Sequence, residues 1–171
     1  LLETARFNLL DLGFGEINLV SFSRDGTIWV FDDHAQRLFK VNLQGDILLT
    51  SEDLRLVFDE RITPTKMSES AGNLYLSVPG RGILIFDLFG QYTTQILEPG
   101  VSEFQILDEH MLAYQIDDTL AIHRIDRFER NDYLVPQKMT DAKVLLTKEK
   151  LILIRKNKIE RMPLDVLLGN K

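Results

Sequence analysis

Gly26-Thr27-Ile28-Trp29-Val30 reads as a turn followed by a run of β-branched and aromatic residues. The same turn-then-strand stretch returns as Gly72-Asn73-Leu74-Tyr75-Leu76, Glu109-His110-Met111-Leu112-Ala113 and Glu149-Lys150-Leu151-Ile152-Leu153. Aligned on Trp29, Tyr75, Leu112 and Ile152, the repeats lie 46, 37 and 40 residues apart. Periods of roughly 40–50 residues filled with short strands mark a β-propeller, in which each repeat folds as one blade of about four antiparallel strands. The predicted fold class is therefore all-β, a propeller with four recognisable blades covering approximately 16–52, 62–98, 101–136 and 138–163.

Working outward from Gly26, strands are expected at Ile17 to Ser23, Thr27 to Phe31, Leu38 to Val41 and Ile47 to Thr50, with Asp25-Gly26 and Gly45-Asp46 as hairpin turns. Glycine at such turns accepts the positive φ that a tight connection demands. The second repeat gives Lys66 to Glu69, Leu74 to Val78, Ile83 to Leu88 and Tyr92 to Leu97. The third gives Glu103 to Leu107, Met111 to Ile116, Leu120 to Ile125 and Tyr133 to Val135. The fourth has three clear strands, Ala142 to Leu146, Leu151 to Arg155 and Ile159 to Met162, before Pro163 stops the pattern. Thr4 to Leu10 reads as a strand without a blade of its own. Two readings of it stand. It completes the fourth blade and closes a four-blade ring, or it is the outer strand of a preceding blade in a larger propeller, as Leu1 in place of Met suggests. The tail from Leu164 to Lys171 reads equally as a helical turn or a last strand.

A chain of 171 residues that is 44% hydrophobic and 27% charged has the make-up of a globular protein. No apolar run approaches the roughly 18 residues that span a bilayer, so no membrane insertion is expected. Without cysteine there is no disulfide framework, thiolate nucleophile or Cys-based zinc site. Residues 1–137 carry 11 Lys or Arg against 22 Asp or Glu, and residues 138–171 carry 9 against 4. An acidic body argues against nucleic acid as partner, because phosphate neutralisation needs a concentrated basic surface. Lys148, Lys150, Arg155, Lys156, Lys158 and Arg161 read as a solvated face or as edge-strand guards.

The quoted stretch Ser23-Arg24-Asp25-Gly26-Thr27-Ile28-Trp29-Val30-Phe31-Asp32, followed by Gln36 to Val41 and Gly45 to Leu48, resembles the repeat of NHL-like and related bacterial propellers of six or seven blades. The likeness is good over Ser23 to Thr50, partial over Ala71 to Leu97, where Pro79 stands at the position of Asp32, and poor after Val101. The resemblance implies a binding or scaffolding propeller, often extracytoplasmic in bacteria, with a minority of metal-dependent hydrolases or lyases among its relatives.

No phosphate loop, nucleophile elbow, H-E-x-x-H pair or EF-hand loop occurs. His34, His110 and His123 fall at unrelated places in their repeats, and a metal site needs at least three converging ligands, so neither metal nor cofactor is expected. The inner-strand positions hold Ile17, Thr65, Glu103 and Lys143, which is not a ligand set. Asp33 and Asp118, both between second and third strands, fall on one face and suit a cation or a basic partner. That face also collects the loops joining successive blades, and carries Glu60, Arg61, His34, Arg81 and Asn157. Loops on a rigid scaffold are the usual place of recognition, and arginine is enriched among interface anchors, so Arg61 and Arg81 lead the candidates, with Asp33, His34 and Asp118 beside them. Trp29, Phe31, Phe39, Tyr75, Phe86 and Phe89 are expected within strands as core, and Phe14, Tyr92 and Phe128 as less constrained. The expected function is a non-catalytic protein-interaction or scaffold propeller, a component of a larger extracytoplasmic assembly. The alternative is a lactonase-like enzyme or small-ligand binder with its site in the central channel. Oligomeric state stays open.

Overall fold

Every hairpin turn expected around Asp25-Gly26, Gly45-Asp46 and Ala71-Gly72 is formed, and each connects neighbouring strands of an antiparallel sheet. The computed structural model describes residues 8–117, 119–127, 129–134, 142–147 and 149–163. Its chain divides into two compact units, 1–102 and 103–171.

In the first unit, β1 (Ile17–Phe22), β2 (Ile28–Asp32), β3 (Arg37–Val41) and β4 (Ile47–Thr50) form one meander, blade 1. The meander of β5 (Lys66–Ser70), β6 (Asn73–Val78), β7 (Gly82–Asp87) and β8 (Tyr92–Ile96) is blade 2. Alternation along β2 sends Trp29 and Phe31 to one face, where with Leu38 they pack against Met67, Leu74, Leu76, Val78, Leu84 and Phe86 of blade 2. Burying each such side chain contributes about 1.5–3 kcal/mol, so this contact is the main stabilising feature of the unit. First strands meet as well, β1 lying against β5.

Between the two blades the chain forms a short helix, α1 (Leu54–Phe58), which was not anticipated. Asp53 caps its N-terminus by accepting from Arg55 N, and the Arg55 guanidinium beside it holds the Asp53 carboxyl down at about 2. Leu54 is buried in the shared core, with Val57 and Phe58 packed against it. The helix accounts for the spacing of 46 between the first two repeats where the later ones show 37 and 40.

The N-terminal segment differs from expectation. Leu9–Leu12 is a 3-10 helix, not part of a strand, and residues 4–7 lie outside the described residues. Asp11 N donates to Asn8 O at 3.0 Å, and Leu9, Leu12 and Phe14 pack onto Val30 and Val41, on the face of blade 1 turned away from blade 2. Covering that face rewards a turn that gathers leucines three residues apart, which an extended strand cannot do. Phe14, which the sequence left less constrained, is accordingly buried, edge-on to Phe39. Phe89 goes the other way. It sits in the turn between β7 and β8 and is 70% exposed, because Asp87 Oδ1 accepts from both Phe89 N and Gln91 N and ends the strand before it.

In the second unit, β9 (Phe104–Ile106), β10 (Met111–Ile116), β11 (Thr119–Arg124) and β12 (Glu129–Leu134) form blade 3. The fourth strand starts four residues earlier than expected, since a tight turn lets Glu129 pair directly with Arg124. Blade 4 has β13 (Lys143–Leu146), β14 (Lys150–Arg155) and β15 (Lys158–Pro163), and Pro163 itself pairs with Lys150. Ala113, Leu120 and Ile122 pack against Leu146, Leu151 and Leu153 to make the core of this unit. Gln105 fastens the same contact, donating Nε2 to Val144 O at 2.6 Å and accepting from Leu146 N at 2.6 Å. The tail from Leu164 to Lys171 and Phe128 lie outside the described residues.

Candidate functional site

Asp32 ends β2 with its carboxylate buried, accepting from Gly15 N at 2.7 Å, Glu16 N at 3.2 Å and Ala35 N at 2.9 Å. Burial works to raise its pKa, but these backbone donors, with His34 N, outweigh it and hold the carboxyl below the usual range. Asp32 thus shapes the loop of residues 33–36, and Asp33 and His34 follow from it. Asp33 N donates to Glu16 O at 2.7 Å, and His34 lies directly over Gly15, where an added Cβ would come within 2.8 Å of His34 Cβ.

Gln36 closes the loop. Fully buried, with φ of +53°, it donates Nε2 to Asp33 O at 2.9 Å, Asp33 Oδ1 at 3.1 Å and Ile62 O at 3.1 Å, and accepts from Ile62 N at 2.8 Å. Its amide takes the part of a neighbouring strand for buried Ile62, and so fixes the segment after α1 against blade 1. That brings Arg61 to Asp33. Arg61 Nη2 donates to Asp33 O at 2.7 Å and to Asp33 Oδ2 at 2.8 Å. Arg81, in the turn between β6 and β7, donates to Glu60 Oε1 through Nε at 2.9 Å and Nη2 at 2.5 Å, and to Phe58 O at 3.1 Å. Its guanidinium also lies over the Phe58 ring, 5.2 Å from the centroid. The turn is tied to the next loop by Gly80 N donating to Pro99 O at 2.8 Å.

One rim of the first unit therefore gathers Asp33, His34, Arg61 and Arg81, four of the five residues singled out from sequence, together with Glu60. Asp118, the fifth, lies outside the described residues. The Asp33 carboxylate is engaged within the chain by Arg61 and Gln36. Arg61 remains 52% exposed and Glu60 61% exposed at the side chain. Their partners are more covered, Asp33 at 17% and Arg81 at 29%, so an incoming carboxylate or carbonyl can reach the Arg61 guanidinium directly and compete with the exposed Glu60 for Arg81.

At the other end of β2 is a second polar cluster. Trp29 Nε1 donates to Glu69 Oε2 at 2.6 Å, and Lys40 Nζ lies 2.7 Å from Asp25 Oδ2, 3.9 Å from Glu69 Oε2 and 5.3 Å from the Trp29 ring centroid. Lys40 and the hydroxyl of Thr27 hold the Asp25 carboxyl well below the usual range. Lys40 and Glu69 are buried between the two blades, so this cluster is a joint within the scaffold.

His110 lies in the turn before β10, and His123 in β11, where burial lowers its pKa. Among the described residues no three His, Asp or Glu side chains are grouped to hold a metal ion. Thr65, at an expected inner position, donates its hydroxyl to Ser102 O at 2.6 Å. Of the basic residues near the C-terminal end, Arg155 and Lys158 pair with Glu160, Lys150, Lys156 and Arg161 are exposed, and Lys148 lies outside the described residues. Sequence reasoning did not find the roles of Gln36 or Glu69. A glutamine at the end of a polar loop and a glutamate in a strand carry no local sign that they serve a neighbouring blade.

No protein-family model and no curated protein sequence matches the chain. Solved structures do. The β-propeller domain of Cps50 (Swd1) from Myceliophthora thermophila is 15% identical with a TM-score of 0.62, over 90% of this chain and 53% of that one. BamB from Moraxella catarrhalis is 10% identical with a TM-score of 0.60, over 86% and 46%. A streptogramin B lyase is 16% identical with a TM-score of 0.52, over 86% and 54%. The fold is that of a β-propeller, and the chain spans about half the length of these three structures.

Proposed function

We propose that the chain is a non-catalytic protein-interaction propeller whose contact surface is the rim carrying Asp33, His34, Glu60, Arg61 and Arg81. The observation that carries this reading is the pair of guanidiniums, Arg61 on Asp33 and Arg81 on Glu60, the neighbour of Arg61 in the chain, on loops clamped to the blades. Pre-positioned arginines are favoured interface anchors, and an acidic group of another protein can reach Arg61 directly and compete with Glu60 for Arg81. The partner that fits offers carboxylates and backbone carbonyls. Nucleic acid does not fit, given 22 acidic against 11 basic residues over 1–137. An extracytoplasmic bacterial assembly is the setting that the sequence resemblance suggests. A lactonase-like or lyase-like reading would draw support from converging carboxylates or imidazoles on inner strands, and the described residues group no such set.

The test is affinity capture from an extract of the source cells by immobilised wild type, by the Arg61→Glu/Arg81→Glu double variant, and by Arg24→Glu at the opposite end of blade 1. At least one saturably captured protein should fall by about tenfold or more with the double variant and be retained by Arg24→Glu, in line with the loss of a central interface arginine. Indistinguishable capture by all three forms would refute the assignment of the rim.

A further inference from the structure

The two rim arginines are held in different ways, and the difference decides what each can take. Arg81 is anchored from beneath. Its Nη2 donates to Phe58 O, the carbonyl that ends α1, and its guanidinium lies over the ring of the same residue. Phe58 is packed against the core shared by blades 1 and 2 and stands edge-on to Tyr92, with ring centroids 5.0 Å apart. The backbone that carries Arg81 is fixed as well, since Arg81 N donates to Val78 O at 2.9 Å.

Glu60 has no such support. Among the described residues its carboxylate bonds only to Arg81, and it follows Asp59, whose φ of +57° turns the chain out of α1 into a bend. Breaking the pair therefore affects the partners unequally. A released Glu60 carboxylate is taken up by water, whereas the guanidinium, partly covered by Phe58, needs another acceptor in the same place. A basic ligand would draw Glu60 off and leave Arg81 with one backbone carbonyl. An acidic ligand exchanges one carboxylate for another.

Arg61 is filled on one side only. Both of its bonds to Asp33 are made by Nη2, and Asp33 is held in turn by Gln36, so that edge is closed. Its Nε and Nη1 make no bond among the described residues, and a carboxylate can meet them without displacing Asp33.

On the reading of the rim as the contact surface, we infer that Glu60 is a built-in competitor for it. Glu60 occupies on Arg81 the place of one carboxylate of an acidic peptide segment, and a second carboxylate of that segment binds the open edge of Arg61. Glu60 and Arg61 are consecutive in the chain, which keeps the two positions within reach of one short extended segment. Binding then includes the release of Glu60, and the affinity is lower than the two arginines alone would give.

Fluorescence anisotropy of a fluorescein-labelled oligoglutamate peptide titrated with the 171-residue chain tests this, at about 0.15 M salt so that distant charges are screened. Wild type should bind saturably, and Arg61→Gln and Arg81→Gln should each weaken binding by about fivefold or more. Glu60→Ala should bind about two- to sixfold tighter than wild type, because an exposed ion pair is formed at most a few times more often than it is open. Asp59→Asn removes the same charge from a side chain that makes no bond to Arg81, and asparagine tolerates the positive φ, so it should alter binding by less than about 1.5-fold. The gain from Glu60→Ala should vanish when Arg81→Gln is also present. Equal tightening by Glu60→Ala and Asp59→Asn, or a gain that persists without Arg81, would overturn the competitor while leaving the rim in place if both arginines are still required. Binding indifferent to both arginines, no binding by any form, or preference for an oligolysine peptide would overturn the rim and the competitor together.

Discussion

Gln36→Leu removes an amide that satisfies a buried peptide group on another segment. The side chain is fully buried and makes two bonds to Ile62, donating to its carbonyl at 3.1 Å and accepting from its N–H at 2.8 Å, and Ile62 is itself only 1% exposed. Leucine fills a similar volume and leaves both backbone groups without a partner. Each costs about 1–3 kcal/mol, so the loss should be about 2–5 kcal/mol once some relaxation toward water is allowed. Trp29 is the only tryptophan, lies in the core shared by blades 1 and 2, and is fully buried, so its fluorescence in a urea titration reports on this unit. With a urea slope of about 1–3 kcal/mol per M, the midpoint should fall by roughly 1 M or more. Arg61 should also lose ordering, since Gln36 holds the Asp33 on which it rests. A midpoint shift below roughly 0.3 M would refute the reasoning and show that Ile62 finds other partners.

Other expectations follow from single positions. Gly82 has φ of +112°, and a Cβ there would overlap the Ile96 carbonyl and lie 2.6 Å from Glu98 N. Gly82→Ala should therefore cost about 3 kcal/mol or more by urea unfolding, well above Gly26→Ala, whose φ is also positive but whose surroundings are open; equal costs would contradict this. Ala71 and Gly72 form a two-residue hairpin turn with φ of +50° and +81°. Ala71→Asn supplies the Asn-Gly pair such turns prefer and should add about 0.5–1 kcal/mol, seen as a rise in Tm of a few degrees. The Asp32 carboxyl sits below its ordinary value in the fold, so its contribution is complete above the unfolded pKa of about 4 and is lost as pH falls through the folded one. The stability gap between wild type and Asp32→Asn should accordingly be wide at pH 7 and narrow progressively as pH falls below about 4, and a gap independent of pH would show that Asp32 is not held as a carboxylate.

Blades were legible because their signals are local. Asp25-Gly26 and Gly45-Asp46 need only their own φ angles to turn the chain, and the runs from Ile28 and Leu74 need only alternate about a sheet. The rim was legible for a related reason, since the meander order alone puts the loop after β2, the turn after β6 and the connection before β5 at one end of their blades. What stayed hidden depends on distant partners. Leu9–Leu12 becomes a 3-10 helix because a sheet face made by Val30 and Val41 is available to cover. Phe14 is drawn in by Phe39, and Arg81 finds Glu60 across 21 residues. Gln36 and Gln105 act on the backbone of the next blade, Ile62 in one unit and Val144 and Leu146 in the other, and nothing in their own neighbourhoods distinguishes them from surface glutamines. The helix after β4 was visible only as an unexplained excess in the first repeat spacing.

The claim that recognition belongs to the loop rim is tested most directly by photocrosslinking. A benzophenone side chain is placed either at Thr63, exposed two residues from Arg61, or at Thr94, exposed on the last strand of blade 2. In an extract of the source cells, the probe at position 63 should give discrete protein adducts that disappear when Arg61 and Arg81 are both replaced by Glu, while the probe at 94 gives none of them. Adducts formed at 94 and not at 63, or adducts at 63 that persist without the two arginines, would contradict the assignment.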